Sequence, residues 1–300
     1  LQAILAHHDG LRLRYNFDGS VWHQVNKGIQ EVVEFSTGIC ESIDLRGVPK
    51  DELGAVIEKE STRVQRSLDI NKGHVFKAVL FDCGKEEPQR LVLVIHHLMI
   101  DGVSWRILLE DLGKAYEQLE KREPIVLPAK THSYQIWSQE LHKYAQTTAL
   151  RDELSYWGDI AERRKAEGKQ ALLLVDFDKG LATVGATRSF EVTLSYDETQ
   201  KLLHEAPRTY STQINDLLLT ALVLAVSHWT ERKILHLSLE GHGREDIIPG
   251  IDLSRTIGWF TTVFPVCFDL ADCDVNDCGA VIKLIKEQLR IIPKKGIGYG

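Results

Sequence analysis

Two adjacent histidines, His96 and His97, end the apolar run from Leu91 to Ile95, and Asp101 and Gly102 follow four and five positions after His97. Imidazole titrates near neutrality, so such a pair on a rigid strand suits proton transfer. Side chains alternate across a strand, which sends Val92, Val94 and His96 to one face and Leu93, Ile95 and His97 to the other. One histidine then reaches a given cleft, and the other takes a structural role. The same divergence argues against a metal held by His96, His97 and Asp101, whose ligand atoms would have to converge, and no metal is expected there. A second constellation lies far along the chain. Ile234 to Leu239 alternates with Leu235, Leu237 and Leu239 on one face, so Glu240 arrives at the strand end on the other. Gly241, His242 and Gly243 then suit a sharp turn that exposes the carboxylate, with Arg244 and Glu245 just beyond it.

These residues need elements to position them. Leu1 to His7 reads as a helix, Leu11 to Tyr15 as a strand, and Trp22 to Val25 as its hairpin partner across the turn-forming Asn16 to Ser20. A helix is expected over Asp51 to Ser67, then a strand over His74 to Asp82 paired with Arg90 to His96. Ser104 to Leu119 repeats Ile107, Leu108, Leu112, Ala115, Tyr116 and Leu119 at helical spacing, and Asp101 just before it is placed to cap that helix. Helices follow at Thr131 to Ala145 and Leu150 to Lys169. Thr187 to Leu194 alternates as a strand, and Ser195 opens a helix with Asp197 and Glu198 in its first turn. Asp216 to Trp229 is apolar on nearly every face and is expected to be buried all round. Val281 to Ile291 is amphipathic and is stopped by Pro293. His7-His8-Asp9-Gly10 imitates the histidine motif without its three-residue spacer and reads as a helix end.

The 300 residues exceed one ordinary core, so two lobes are expected, residues 1–180 and 181–300, with a crevice between them as a site. The chain opens on Leu1, carries one methionine, Met99, and stops in a glycine-rich run, which reads as an internal piece truncated at both ends. At 43% hydrophobic and 26% charged, it has the composition of a soluble globular protein. A net charge of -7 and a pI near 6.0 argue against nucleic acid or an anionic membrane as partner. Arg163, Arg164 and Lys165 form only a short basic patch. Apolar stretches are too short to span a bilayer. Five cysteines without a C-x-x-C pair suit reduced thiols and a cytoplasmic setting.

The ordered motifs His96-His97-x-x-x-Asp101-Gly102-Val-Ser-Trp105, Gln213 to Leu222, Leu239-Glu-Gly-His-Gly-Arg-Glu245, Asp252-Leu-Ser-Arg-Thr-x-Gly-Trp-Phe260 and Lys295-Gly-x-Gly-Tyr-Gly300 resemble the epimerization domains of nonribosomal peptide synthetases. The resemblance spans essentially the whole chain. It implies an α/β (α+β) fold of the condensation-domain superfamily, whose chloramphenicol-acetyltransferase-like lobes form a V with the paired histidines at its centre. The histidine motif points to the superfamily, and the Val-Ser-Trp continuation and the Glu-Gly-His-Gly-Arg-Glu segment point to the epimerizing subtype. In the terminal motif, Lys294 stands where the family commonly has asparagine.

Inverting an α-carbon means removing a proton from one face and returning one to the other, and two opposed acid-base groups suffice. A thioester carbonyl delocalises the carbanion, which leaves the enolate to be stabilised. The resemblance implies that His97 and Glu240 are that pair, one from each lobe, with His96, Asp101, Gly102, Trp105, Arg244 and Tyr299 in support. It further implies an aminoacyl or peptidyl substrate that enters on the phosphopantetheine arm of a carrier protein, with no tightly bound cofactor and with neighbouring synthetase domains as partners. Two alternatives stay open: a condensation domain using His97 to assist amine attack, and a non-catalytic carrier-binding domain of the same fold.

Overall fold

The computed structural model describes residues 1–26, 28–29, 38–168, 173, 175–177, 179–180 and 183–299. By its contacts the chain divides into two compact units, Leu1–Ala145 with Asp246–Thr261, and Gln146–Glu245 with Thr262–Gly300. Sequence patterning puts one boundary near residue 180. The division falls after Ala145 instead, and residues 246–261 return to the first unit through hydrogen bonds to a helix some 150 positions earlier. Pairings of that range leave no local trace in a sequence.

In the first unit, α1 (Gln2–His7) leads through a 3-10 turn at Asp9–Arg12 into the hairpin β1 (Leu13–Phe17) and β2 (Trp22–Asn26). The strand starts two residues later than its apolar pattern suggests, because Leu11 and Arg12 are taken up by the turn and buried there. Asp18 closes the hairpin by accepting the N–H groups of Ser20 and Val21 at 2.8 and 2.9 Å. A three-stranded sheet follows, formed by β3 (Cys40–Asp44), β4 (Phe76–Asp82) and β5 (Arg90–Ile95). β4 is central, parallel to β3 and antiparallel to β5, with Phe76 opposite Ile95. β3 escapes sequence reading because Cys-Glu-Ser-Ile-Asp carries one large apolar residue. α2 (Lys50–Arg66) packs Val64 on Leu45, Val79 and Phe81 of this sheet. α3 (Gly102–Glu120) lays Ile107 and Leu108 on Ile4, Leu5, Leu11, Phe76 and Ile257, and α4 (Tyr134–Tyr144) completes the unit.

In the second unit, α5 (Leu154–Glu167) precedes short helical segments over Tyr196–Tyr210, and Ser195 opens them in a reciprocal capping box with Glu198. α6 (Ile214–Thr230), the antiparallel pair β6 (Ile234–Gly241) and β7 (Thr262–Asp269), and α7 (Cys278–Arg290) enclose a core of Trp157, Val223, Phe264, Phe268 and Ile285. Two expectations need correction. Residues 187–194 have no ladder partner among the described residues, and Phe190 and Val192 are 96% and 95% exposed, because alternation marks a face but cannot supply a partner strand. α6 is not buried all round: Leu217, Leu219 and Val223 are buried, whereas Leu218, Leu222 and Trp229 face outward. Gly300 and the predicted helix end at Lys169 lie outside the described residues. No helix among the described residues is long and apolar enough to cross a membrane.

The last segment, Pro293–Gly296, is a 3-10 turn with an unusual backbone. Lys294 and Lys295 both adopt left-handed φ, 43° and 53°, and Gly296 follows at 84°. A Cβ on Gly296 would lie 2.1 Å from Cδ1 of the buried Phe264, so only glycine lets the turn close on β7. Left-handed φ is tolerated best by glycine and asparagine, so lysine is strained at position 294. Gly296→Ala is expected to destabilise the protein by about 2–4 kcal/mol through overpacking and strain, and Lys294→Gly to stabilise it by about 1 kcal/mol. Chemical denaturation of both variants measures the two signs.

Candidate functional site

β5 ends at Ile95, and the chain turns at once into a 3-10 segment, His97–Met99. His96 caps that segment in an extended conformation, and its Nδ1 accepts the Leu98 N–H at 3.2 Å. Partial burial, and then the neighbouring His97, lower the His96 pKa. His96 therefore stays neutral and keeps its acceptor nitrogen for the backbone. His97 is exposed, with its ring 5.5 Å from that of Trp259 in an edge-on contact. The adjacent histidines thus separate into one that caps the backbone and one that is exposed.

Asp101, 2% exposed, fixes the surroundings of His97. Its Oδ1 accepts the Ser104 N–H at 2.8 Å and caps α3, while Oδ2 accepts the Phe260 N–H at 3.0 Å. Ser104 Oγ lies 2.9 Å from Gly258 O, to which it donates, and accepts the Gly258 N–H at 3.1 Å. Tyr134 OH donates to Trp259 O at 2.9 Å and packs so close that a Cβ on Gly258 would lie 2.5 Å from its ring. The segment Gly258-Trp259-Phe260 is thereby strapped to the start of α3, which sets Trp259 beside His97. Trp105 contributes by packing on the core between α1 and α3. Gly102 is the exposed first residue of α3 with open space where a side chain would stand, and nothing in the structure explains the glycine.

In the second unit, Glu240 sits one residue from the end of β6, opposite Val263 of β7, and is exposed. Leu235, Leu237 and Leu239 pack on the core as alternation requires. A cleft of about 820 Å³ is lined by Glu240 together with Gln213, Asn215, His242, Arg290 and Lys295. Beyond the strand, Gly243 takes a left-handed φ of 66°. The His242 ring accepts the Arg244 N–H on Nδ1 at 3.0 Å, and its Nε2 lies 3.0 Å from Glu245 Oε1. The other Glu245 oxygen meets Lys295 Nζ at 2.9 Å. Glu245 is thus the tie between the loop after β6 and the terminal turn. Arg244 is half-buried in this loop. Tyr299 stacks edge-on against Trp157 at 5.1 Å, and Gly298 lies where a Cβ would strike Glu153.

The structure therefore brings His96, His97, Asp101, Gly102 and Trp105 together in one unit, and Glu240 and Arg244 together in the other, where Tyr299 packs on the core. Three contributors are not singled out by sequence reasoning: Trp259, Ser104 and Lys295. Their signal is the motifs in which they lie, not any spacing. A different trio, His7, His8 and Asp111, gathers three potential metal-ligand atoms.

The condensation-domain family model matches residues 1–300, and the chain belongs to that family. It is 41% identical over its whole length to surfactin synthase subunit 2 of Bacillus subtilis (strain 168), and 40% identical over 99% of its length to bacitracin synthase 2 of Bacillus licheniformis. It spans only 8% and 11% of those relatives. Among solved structures, it is similar to the epimerization domain from the third module of tyrocidine synthetase B, with a TM-score of 0.87 and 38% identity over 99% of this chain and 65% of that one. The first condensation domain of the calcium-dependent antibiotic synthetase shares the fold, with a TM-score of 0.71 at 16% identity, covering 97% of this chain and 64% of that one.

Because Asp101 satisfies two buried backbone donors, Asp101→Ala should leave the Phe260 N–H without this acceptor. The expected loss is about 2–4 kcal/mol in equilibrium unfolding. Asp101→Asn, which keeps acceptor capacity, should lose less.

Proposed function

We propose that this chain epimerizes the α-carbon of an aminoacyl or peptidyl group held as a thioester on a carrier protein during nonribosomal peptide synthesis. The observation that carries the reading is Glu240: an exposed carboxylate at a strand end, lining a cleft and followed by a dedicated ion-paired loop. The 38% identity to the tyrocidine synthetase epimerization domain supports the same subtype. A condensation reaction needs a single base near the attacking amine and gives Glu240 no task, while a carrier-binding domain needs neither base.

In this reading His97 and Glu240 are the two acid-base groups. One takes the α-proton, the thioester carbonyl carries the developing negative charge, and the other returns a proton to the opposite face. The groups exchange roles for the reverse direction, so an L/D mixture results. The phosphopantetheine arm belongs to the substrate, and the chemistry requires no tightly held coenzyme. His96, Asp101 and Trp105 hold the histidine segment, and Arg244 belongs to the loop behind Glu240. The partners are the loaded carrier protein and the neighbouring synthetase domains, in a cytoplasmic setting that suits the five unpaired cysteines.

The test is α-deuterium uptake in heavy water from an L-aminoacyl carrier protein, with product chirality read on the same sample and the full-length protein as catalyst. Uptake with D product is expected. His97→Ala and Glu240→Ala should each lower epimerization by about 10²-fold or more, with exchange persisting from one enantiomer only. No uptake with a loaded carrier, or full activity in Glu240→Ala, overturns the reading and favours condensation or carrier binding.

A further inference from the structure

α1 ends on His7, His8 caps it, and α3 packs against α1 with Asp111 at its middle. One nitrogen from each imidazole and one carboxylate oxygen lie within 4.8 Å of one another. Asp111 is 0% exposed and His8 is 3% exposed. His7 Nε2, His8 Nε2 and Asp111 Oδ2 are all buried and make no well-aligned hydrogen bond. His8 Nε2 stands 3.0 Å from Asp111 Oδ2, close to the edge of about 3.3 Å between two ligands on a tetrahedral ion with bonds of about 2.0 Å. The simplest rival is a plain His8–Asp111 pair, but it leaves His7 Nε2 buried with nothing to bind, a cost that folded proteins seldom bear.

We propose that His7, His8 and Asp111 bind a borderline divalent transition-metal ion, for which Zn²⁺ is the natural probe. Two imidazoles and a carboxylate are the donor set such an ion takes, and three protein ligands leave a fourth position for water. The surroundings orient the site. Arg255 Nη2 holds Asp111 Oδ1, which leaves Oδ2 for the ion, and Arg255 Nη1 is itself paired with Glu110 at 2.9 Å. Lys130, the other cation close to His7, is paired with Asp9 at 3.2 Å. Each of these cations thus has a carboxylate oxygen other than Asp111 Oδ2 beside it, with Glu110 shared with Lys114 and Asp9 shared with Arg12. An outer-shell partner that fixes a ligating carboxylate is a regular feature of metal sites. The ion would tie the end of α1 to the middle of α3, within the same unit as His97 and independently of any reaction carried out there.

The full-length protein, stripped with chelator, is titrated with Zn²⁺ and separately with Co²⁺. Expected are one equivalent of Zn²⁺ that raises the unfolding midpoint, and Co²⁺ visible bands of a tetrahedral nitrogen-oxygen site. His7→Gln, at a half-buried position, should leave the metal-free melt unchanged and weaken binding of that equivalent at least tenfold. Asp111→Asn should abolish the Co²⁺ bands. Zn²⁺ that leaves the melt unchanged, or identical titrations for wild type and His7→Gln, overturns the site.

Discussion

The arrangement around His97 depends on one buried carboxylate. Asp101 takes the N–H of Ser104, in the first turn of α3, on one oxygen and the N–H of Phe260, 159 residues away, on the other. A buried carboxylate is costly unless its charge is met, and here backbone donors meet it at the positive end of a helix. Each donor in turn would lose this acceptor without the acid. The interaction therefore constrains both partners at once: it fixes where α3 begins, and it holds the segment that carries Trp259. Ser104 repeats the device one turn later by bonding both the N–H and the C=O of Gly258. Glycine is required there because Tyr134 occupies the space of a side chain. An acid in the histidine motif thus serves as a structural clamp, which leaves His97 as the exposed imidazole of the motif.

Glu240 is held differently. The antiparallel ladder of β6 and β7 positions it, with the leucines between packed on the core. The loop beyond the strand is held by charge. Glu245, 11% exposed, meets His242 on one oxygen and Lys295 on the other. Isolated surface ion pairs contribute little, but a shielded carboxylate shared by a lysine and an imidazole loses less side-chain entropy per contact. Lys295 reaches it from a turn with left-handed backbone, closed over Phe264 by Gly296. The terminal glycine motif and the Glu-Gly-His-Gly-Arg-Glu segment, about 50 positions apart, therefore form one structural object.

Much of this is legible in the sequence, and the reasons differ from residue to residue. Alternation along β6 correctly sets Glu240 opposite the core leucines. Spacing correctly makes Asp101 a helix cap, but no local rule shows that its second oxygen serves Phe260. Strand alternation anticipates the separation of His96 from His97, yet the strand stops at Ile95 and a 3-10 turn does the separating. β3 stays hidden because a mostly polar edge strand has no pattern of its own. Residues 187–194 mislead because their pattern does. His7 and His8 are rightly read as a helix end, and only the fold reveals Asp111 against them. Motif resemblance, not periodicity, raises His97 and Glu240 above ordinary strand-end side chains.

The distinction between one base and two follows from what each reaction asks of its groups. Amide formation on a thioester needs help with one proton, that of the attacking amine, and an imidazole alone provides it. Stereochemical inversion needs a donor on the face opposite the acceptor, because a single base that removes and returns the same proton restores the starting configuration. A second acid-base residue is therefore the chemical mark of inversion, and it must be accessible and steadily placed. Among the groups lining the cleft of the second unit, Asp216 is tied up as the capping partner of Gln213, and Glu245 is ion-paired to His242 and Lys295. Glu240 is the exposed carboxylate of that cleft whose backbone is held in a ladder. That difference in surroundings, together with its place in the motif, is why the proposed subtype turns on Glu240.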